Sequence, residues 1–107
     1  MTQVKLVKLK FKENGKKIWL DWSEELKRRK NEVIETLKNE GVVSEACFMS
    51  EDGGSVYYFM EAEDFYKAKN AFSTSPHPID ADHKKAREMS LEKVGNLECL
   101  VHFENRK

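Results

Sequence analysis

The run Val56-Tyr57-Tyr58-Phe59-Met60 constrains this chain more than any other stretch. It is rich in β-branched and aromatic residues, follows the turn-forming Glu51-Asp52-Gly53-Gly54 and leads into Glu61-Ala62-Glu63-Asp64, which predicts a strand. Successive strand residues point to opposite faces, and here both parities are apolar: Val56, Tyr58 and Met60 on one, Tyr57 and Phe59 on the other. Such a strand needs cover on both faces.

The other elements are read around it. Val4 to Lys12 alternates, with Val7, Leu9 and Phe11 opposite Lys8, Lys10 and Lys12, and predicts a first strand with room for a bulge near Leu6-Val7 before the Asn14-Gly15 turn. Trp19, Trp22, Leu26, Val33 and Leu37 recur at threes and fours, so a long helix is expected from about Lys16 to Glu40, stopped by Gly41. Val42 to Ser50 predicts a second strand, joined to the Val56 strand as a hairpin. Glu63-Asp64 opens a helix carrying Phe65, Ala68, Ala71 and Phe72, and Ser73 to Pro78 breaks it. Asp80 reads as the cap of a short third helix ending near Ser90. The alternation of Leu97, Cys99, Val101 and Phe103 predicts a final strand from Leu97 to Glu104.

The order strand, helix, strand, strand, broken helix, strand is that of a ferredoxin-like βαββαβ fold, an α+β class with an antiparallel four-stranded sheet in the order 4-1-3-2. Right-handed crossovers place the helices over one face, leaving the other open. An open face carrying aromatic residues is expected to form an interface, here a homodimer closing into an α+β barrel.

The length of 107 residues suits one domain spanning 1–107 with its own modest core. Nineteen basic and nineteen acidic residues cancel, although residues 1–30 carry ten against four (+6), residues 31–66 one against nine (−8) and residues 67–107 eight against six (+2). That balance argues against a polyanion partner. The absence of a membrane-length apolar run and of a signal-peptide core predicts a cytoplasmic protein with no membrane partner. Cys47 and Cys99 sit in strand-like stretches without metal-ligand spacing, and buried reduced thiols are expected of both.

Arg29 with Glu32, Glu35-Thr36-Leu37, Glu40-Gly41-Val42, Glu45, Phe48, Tyr57-Tyr58, Met60 to Asp64, Ser75, His77 to Asp80, His83, His102 and Asn105 form a set. Over nearly the whole chain that set resembles an uncharacterised family of small dimeric α+β-barrel proteins. The resemblance implies two ferredoxin-like subunits packed sheet to sheet, as in antibiotic-biosynthesis monooxygenase-like, haem-degrading and rhamnose-mutarotase-like proteins. It implies no established activity. No haem-degrading motif can be matched residue by residue, so haem is not carried over.

Five residues are candidates for a site between sheet and helices. His83 follows Asp80 by three positions and can face a pocket as a proton donor, against the plainer role of a helix-end residue held by Asp80. Glu45 lies mid-strand: exposed, it discourages edge pairing, and covered beside Arg29 and His83 it becomes a base. Arg29 falls in the apolar stripe beside Trp22 and is read either as an anion-binding guanidinium or as a partner of Glu25 or Glu32. Trp22 and Tyr58 are expected as walls. No phosphate loop, CxxC, HExxH or nucleophile elbow is present, and no metal or cofactor is expected.

Three functions remain open at this point. One is a homodimer with a small-molecule pocket, an isomerase- or monooxygenase-like enzyme needing no metal. Another is a dimeric module whose packing is purely structural. The third is a single-stranded RNA-binding domain, disfavoured because Lys8 and Lys10 stand where a stacking aromatic is needed.

Overall fold

The computed structural model describes residues 1–106. The elements follow as β1 (Gln3–Phe11), α1 (Gly15–Arg28), α2 (Lys30–Glu40), β2 (Val42–Met49), β3 (Ser55–Ala62), α3 (Phe65–Ser73), α4 (Pro78–Ser90) and β4 (Leu91–Leu97). The chain is α+β, and its four strands form one antiparallel sheet ordered β2-β3-β1-β4. The Val56 run is therefore interior, with β1 on one side and β2 on the other.

Alternation sorts the sheet into two faces. Val7, Leu9, Val56 and Leu91 bury themselves against Trp19 of α1, with Phe11, Trp22 and Tyr58 packed at the margin. Val42, Ala62 and Ala68 form a second buried cluster with Leu37, Met60 and Phe65. These residues share the parity that faces the helices. The opposite parity forms cross-strand rows with no helix over them: Leu97, Leu6, Phe59 and Ala46 in one, Gly95, Lys8, Tyr57 and Phe48 in the next.

The β2–β3 hairpin turns through Gly53, whose φ of 74° suits a residue without Cβ, and Ser50 N–H closes it on the Ser55 carbonyl at 2.9 Å. Gly41 ends α2 at φ 70° as the helix stop requires. Asp64 caps α3, its carboxylate accepting from Tyr66 N–H and Lys67 N–H.

Several expectations need correction. The helix expected from Lys16 to Glu40 breaks at Arg29, which leaves helical geometry at φ −101°, ψ 32°. The break falls inside the cationic run Lys27 to Lys30, where the apolar stripe has no residue between Leu26 and Val33. β1 pairs with β3 in unbroken register, and the irregularity lies on its other side, against β4 between Lys8 and Leu9. Asp80 is not the cap of α4: the helix starts at Pro78 behind His77, and Asp80 is buried within its first turn. His83 accordingly sits in the second turn.

The final strand is Leu91–Leu97, not Leu97 to Glu104. α4 runs into it without a loop because the Ser90 carbonyl accepts from Lys12 N–H at 2.9 Å, and the bulge opposite Lys8/Leu9 hides its period. Gly15 makes that junction possible: a Cβ there would lie 2.2 Å from the Ser90 oxygen. Both cysteines are exposed rather than buried, Cys47 because β2 is an edge strand and Cys99 because it lies past the end of β4.

Candidate functional site

Four of the five candidate residues meet on the helix side of the sheet. Trp22 on α1 donates its indole N–H to Nδ1 of His83 on α4 at 2.9 Å. The imidazole stands among aromatic rings, its centroid 5.7 Å from Trp19, 6.0 Å from Trp22 and 6.1 Å from Tyr58. Tyr58 in turn donates its phenol to Glu45 Oε2 at 3.2 Å. Cys47 lies directly across from Tyr58 in the β2–β3 register, so Glu45 is its diagonal neighbour on the same face, within reach of a tyrosine's length.

The electrostatics follow from this enclosure. Burial, aided by the nearby Arg87 charge and opposed by Asp80, holds the His83 pKa down at about 4. The ring is neutral at physiological pH. An indole N–H can only donate, so Nδ1 is the acceptor and the proton resides on Nε2, which has no protein acceptor among the described residues. Burial raises the Glu45 carboxyl above its ordinary range, while the Tyr58 phenol pulls it back. The phenol is itself raised well above its ordinary value, by burial first and then by the Glu45 charge.

Next to His83 lies a second polar group that the sequence pattern did not disclose. The buried Thr36 hydroxyl on α2 sits between Glu40 Oε2 (3.2 Å) and Asp80 Oδ2. One hydroxyl proton serves only one of the two carboxyls at a time, which favours protonation of the other, and Glu40 is pushed up to about 7 by burial and then by the charges of Asp80 and Glu45. Thr36 and Glu40 are i,i+4 neighbours on α2, but only the crossing of α2 and α4 brings Asp80 to them.

Arg29 is placed at the rim. Its guanidinium binds Glu32 through two bonds of 2.8 and 3.0 Å and Asp82 at 2.9 Å, and lies 5.8 Å from the Trp22 ring centroid. Its donors are taken up by carboxylates of its own chain, which hold the guanidinium firmly charged. A groove of about 460 Å³ opens between α1 and α4 with Trp22, Asp21, Glu25, Asp82 and Met89 in its lining. It ends at Trp22; His83, Tyr58 and Glu45 do not line it. Those three are half-buried, and the exposed Cys47 beside them marks the approach from the β2 edge.

Among the described residues, Glu61, His102 and Glu104 bring ligand atoms within 4.8 Å of one another. Arg106 already grips Glu61 at 2.6 and 2.7 Å, so the group is an internal ion network. No described helix is long and apolar enough to cross a membrane.

A family model described as a family of unknown function (DUF6176) matches residues 2–107. The chain belongs to that family. Comparison with curated proteins and with solved structures finds no match. Membership in this family brings no activity with it, so any chemistry has to be read from the Trp22, His83, Tyr58 and Glu45 arrangement itself.

Proposed function

We propose that this family member is a cytoplasmic homodimer of single-domain, ferredoxin-like subunits that binds a small carbonyl compound on the helix side of its sheet and moves a proton on it. The observation that carries the reading is the neutral His83, held by Trp22 with no acceptor for its Nε2–H among the described residues, beside a Tyr58–Glu45 pair whose carboxyl is raised by burial. In this scheme Glu45 takes a proton from carbon next to the carbonyl. His83 Nε2–H donates a hydrogen bond to the oxygen where negative charge develops. For an α-hydroxy carbonyl compound, returning the proton from Glu45 to the former carbonyl carbon, while the hydroxyl proton passes to the former carbonyl oxygen, completes an isomerisation with no net change in atoms or electrons. Tyr58 steadies the carboxylate while it is charged, and Trp19 and Trp22 provide apolar walls.

The element order β-α-α-β-β-α-α-β, a split βαβ pattern with each connecting helix in two pieces, supports the ferredoxin-like assignment. The rows on the face away from the helices, in which Phe48 is exposed and Leu6, Tyr57 and Phe59 are half-buried, support the homodimer. Two exposed free cysteines suit a reducing compartment.

A purely structural module is the competing reading, favoured by the groove's stopping at Trp22. Thermal melts against a panel of small keto and hydroxy acids separate the two. A ligand raises the melting temperature of the wild type and loses that effect in Tyr58→Phe and His83→Ala. No stabilisation by any compound, with no exchange of substrate C–H for solvent deuterium, favours the structural module.

A further inference from the structure

Lys5 stands on an interior strand, on the parity that faces the helices, and is nevertheless exposed. Its row continues through Met60 of β3 to Glu45 of β2, and in the next row Val7 lies buried opposite Tyr58. α4 packs chiefly on α1 and α3 chiefly on α2, so the two halves of the last crossover part above this row. Lys5 is therefore the floor of an opening beside the Tyr58–Glu45 pair.

Three other cations gather at the same opening. Arg87 follows His83 by one helical turn on α4, Lys69 follows Phe65 by one turn on α3, and Lys93 pairs with Leu9 on the Lys5 face of the sheet. The Lys5 ammonium lies 4.7 Å from the Phe65 ring centroid. Its pKa is lowered by burial first and then by the charges of Lys93, Arg87 and Lys69, with Glu45 opposing them more weakly. The Arg87 charge also reaches His83 and Tyr58, adding to burial at the first and opposing it at the second.

None of the four has a carboxylate partner among the described residues. Elsewhere the chain pairs its surface charges, Lys10 with Glu92, Lys17 with Asp21 and Arg28 with Glu25. Like charges grouped without a counter-charge repel, and an oxyanion brought among them removes that repulsion. A guanidinium beside ammonium groups is the chemistry that binds carboxylate and phosphate.

We propose that Arg87 and Lys5, flanked by Lys69 and Lys93, bind a carboxylate or phosphate group carried by the small carbonyl compound and so hold its reacting carbon against Glu45 and His83. This rests on the proton-transfer reading above and names the class of its substrate, an anionic α-hydroxy carbonyl compound. A neutral carbonyl compound lacks the group these cations hold.

Calorimetric titration of the full chain tests this with dihydroxyacetone, dihydroxyacetone phosphate, hydroxypyruvate and inorganic phosphate, with the His83 ring nitrogens followed by NMR in parallel. At least one of the two anionic hydroxy-carbonyl compounds is expected to bind the wild type about 10-fold tighter than dihydroxyacetone and to move the Nε2–H resonance. Arg87→Gln and Lys5→Gln should each weaken that binding about 10-fold, the loss of one charge-assisted hydrogen bond, and Lys67→Gln on the other side of α3 should not. All three side chains are exposed, and removing a cation from the cluster relieves repulsion, so Arg87→Gln and Lys5→Gln should melt no earlier than wild type. Anionic compounds that bind no better than dihydroxyacetone, or as tightly to Arg87→Gln and Lys5→Gln as to wild type, overturn the anion site and leave the proton-transfer reading standing. Inorganic phosphate that binds as tightly as the phosphate ester assigns the cations to a free anion and overturns the substrate class. Anion binding that depends on Arg87 and Lys5 without any movement of the His83 resonance overturns the proton-transfer reading and leaves the anion site.

Discussion

The indole N–H of Trp22 donates to Nδ1 of His83 at 2.9 Å, joining α1 to α4 and deciding which imidazole nitrogen carries the proton. That bond turns a histidine in the second turn of a helix into a neutral donor with Nε2–H directed elsewhere. Trp22→Phe keeps an aromatic ring and removes the donor together with the five-membered ring that carries it. It should cost about 1 kcal/mol in urea unfolding and let the His83 proton distribute over both nitrogens, visible in the nitrogen shifts of the ring.

His83 titrates late. Its folded pKa of about 4 lies below the ordinary 6.5, so the folded state binds fewer protons. Its contribution to stability is complete above pH 6.5 and is lost as pH falls from there through about 4. An imidazole that remains neutral at pH 5.5 in NMR titration is the expected result.

Glu40 acts in the opposite sense. Its folded pKa of about 7 is above the ordinary 4.5, so its contribution is complete below pH 4.5 and is lost as pH rises through about 7. Glu40→Gln preserves a donor to the Thr36 hydroxyl and removes the charge. The stability of wild type relative to Glu40→Gln should fall between pH 4.5 and 7 in paired unfolding curves. Thr36→Val should cost roughly 2 kcal/mol by leaving two buried carboxyls facing each other without the hydroxyl.

Gly15 carries the junction between α1 and the α4–β4 corner. A methyl group there meets the Ser90 carbonyl at 2.2 Å, and the atoms in its way are backbone. Gly15→Ala should destabilise by about 3 kcal/mol, measured by urea unfolding. Ser90→Ala, which leaves the carbonyl in place, should cost much less.

Much of the scaffold was legible because local signals agreed with it. Gly53 and Gly41 stand where positive φ is required, and the Val56 run, apolar on both parities, lies in the sheet interior as its pattern demands. The misreadings came where tertiary contacts outweighed pattern. The cationic run at Arg29 hides a helix break that Glu32 and Asp82 stabilise from two other places in the chain. β4 carries Glu92, Lys93 and a bulge, so its period is weak, while the arm beyond it alternates cleanly without being a strand.

The site was partly legible for the same reason. Glu45 and Tyr58 lie on paired neighbouring strands, a relation the hairpin register makes readable. The bond between Trp22 and His83 depends on how α1 and α4 cross, which no spacing encodes. Asp80 looked like a cap because it stands near a helix start, yet its carboxylate turns inward to Thr36.

The most direct measurement is a long-range proton–nitrogen spectrum of the His83 ring while small keto and hydroxy acids are titrated into the wild-type protein. A proton on Nε2 whose resonance moves as a compound binds, with Nδ1 still unprotonated and the response abolished in Glu45→Gln or Tyr58→Phe, is the expected result. A ring protonated on Nδ1, or one that no compound perturbs, would contradict a binding site at this position.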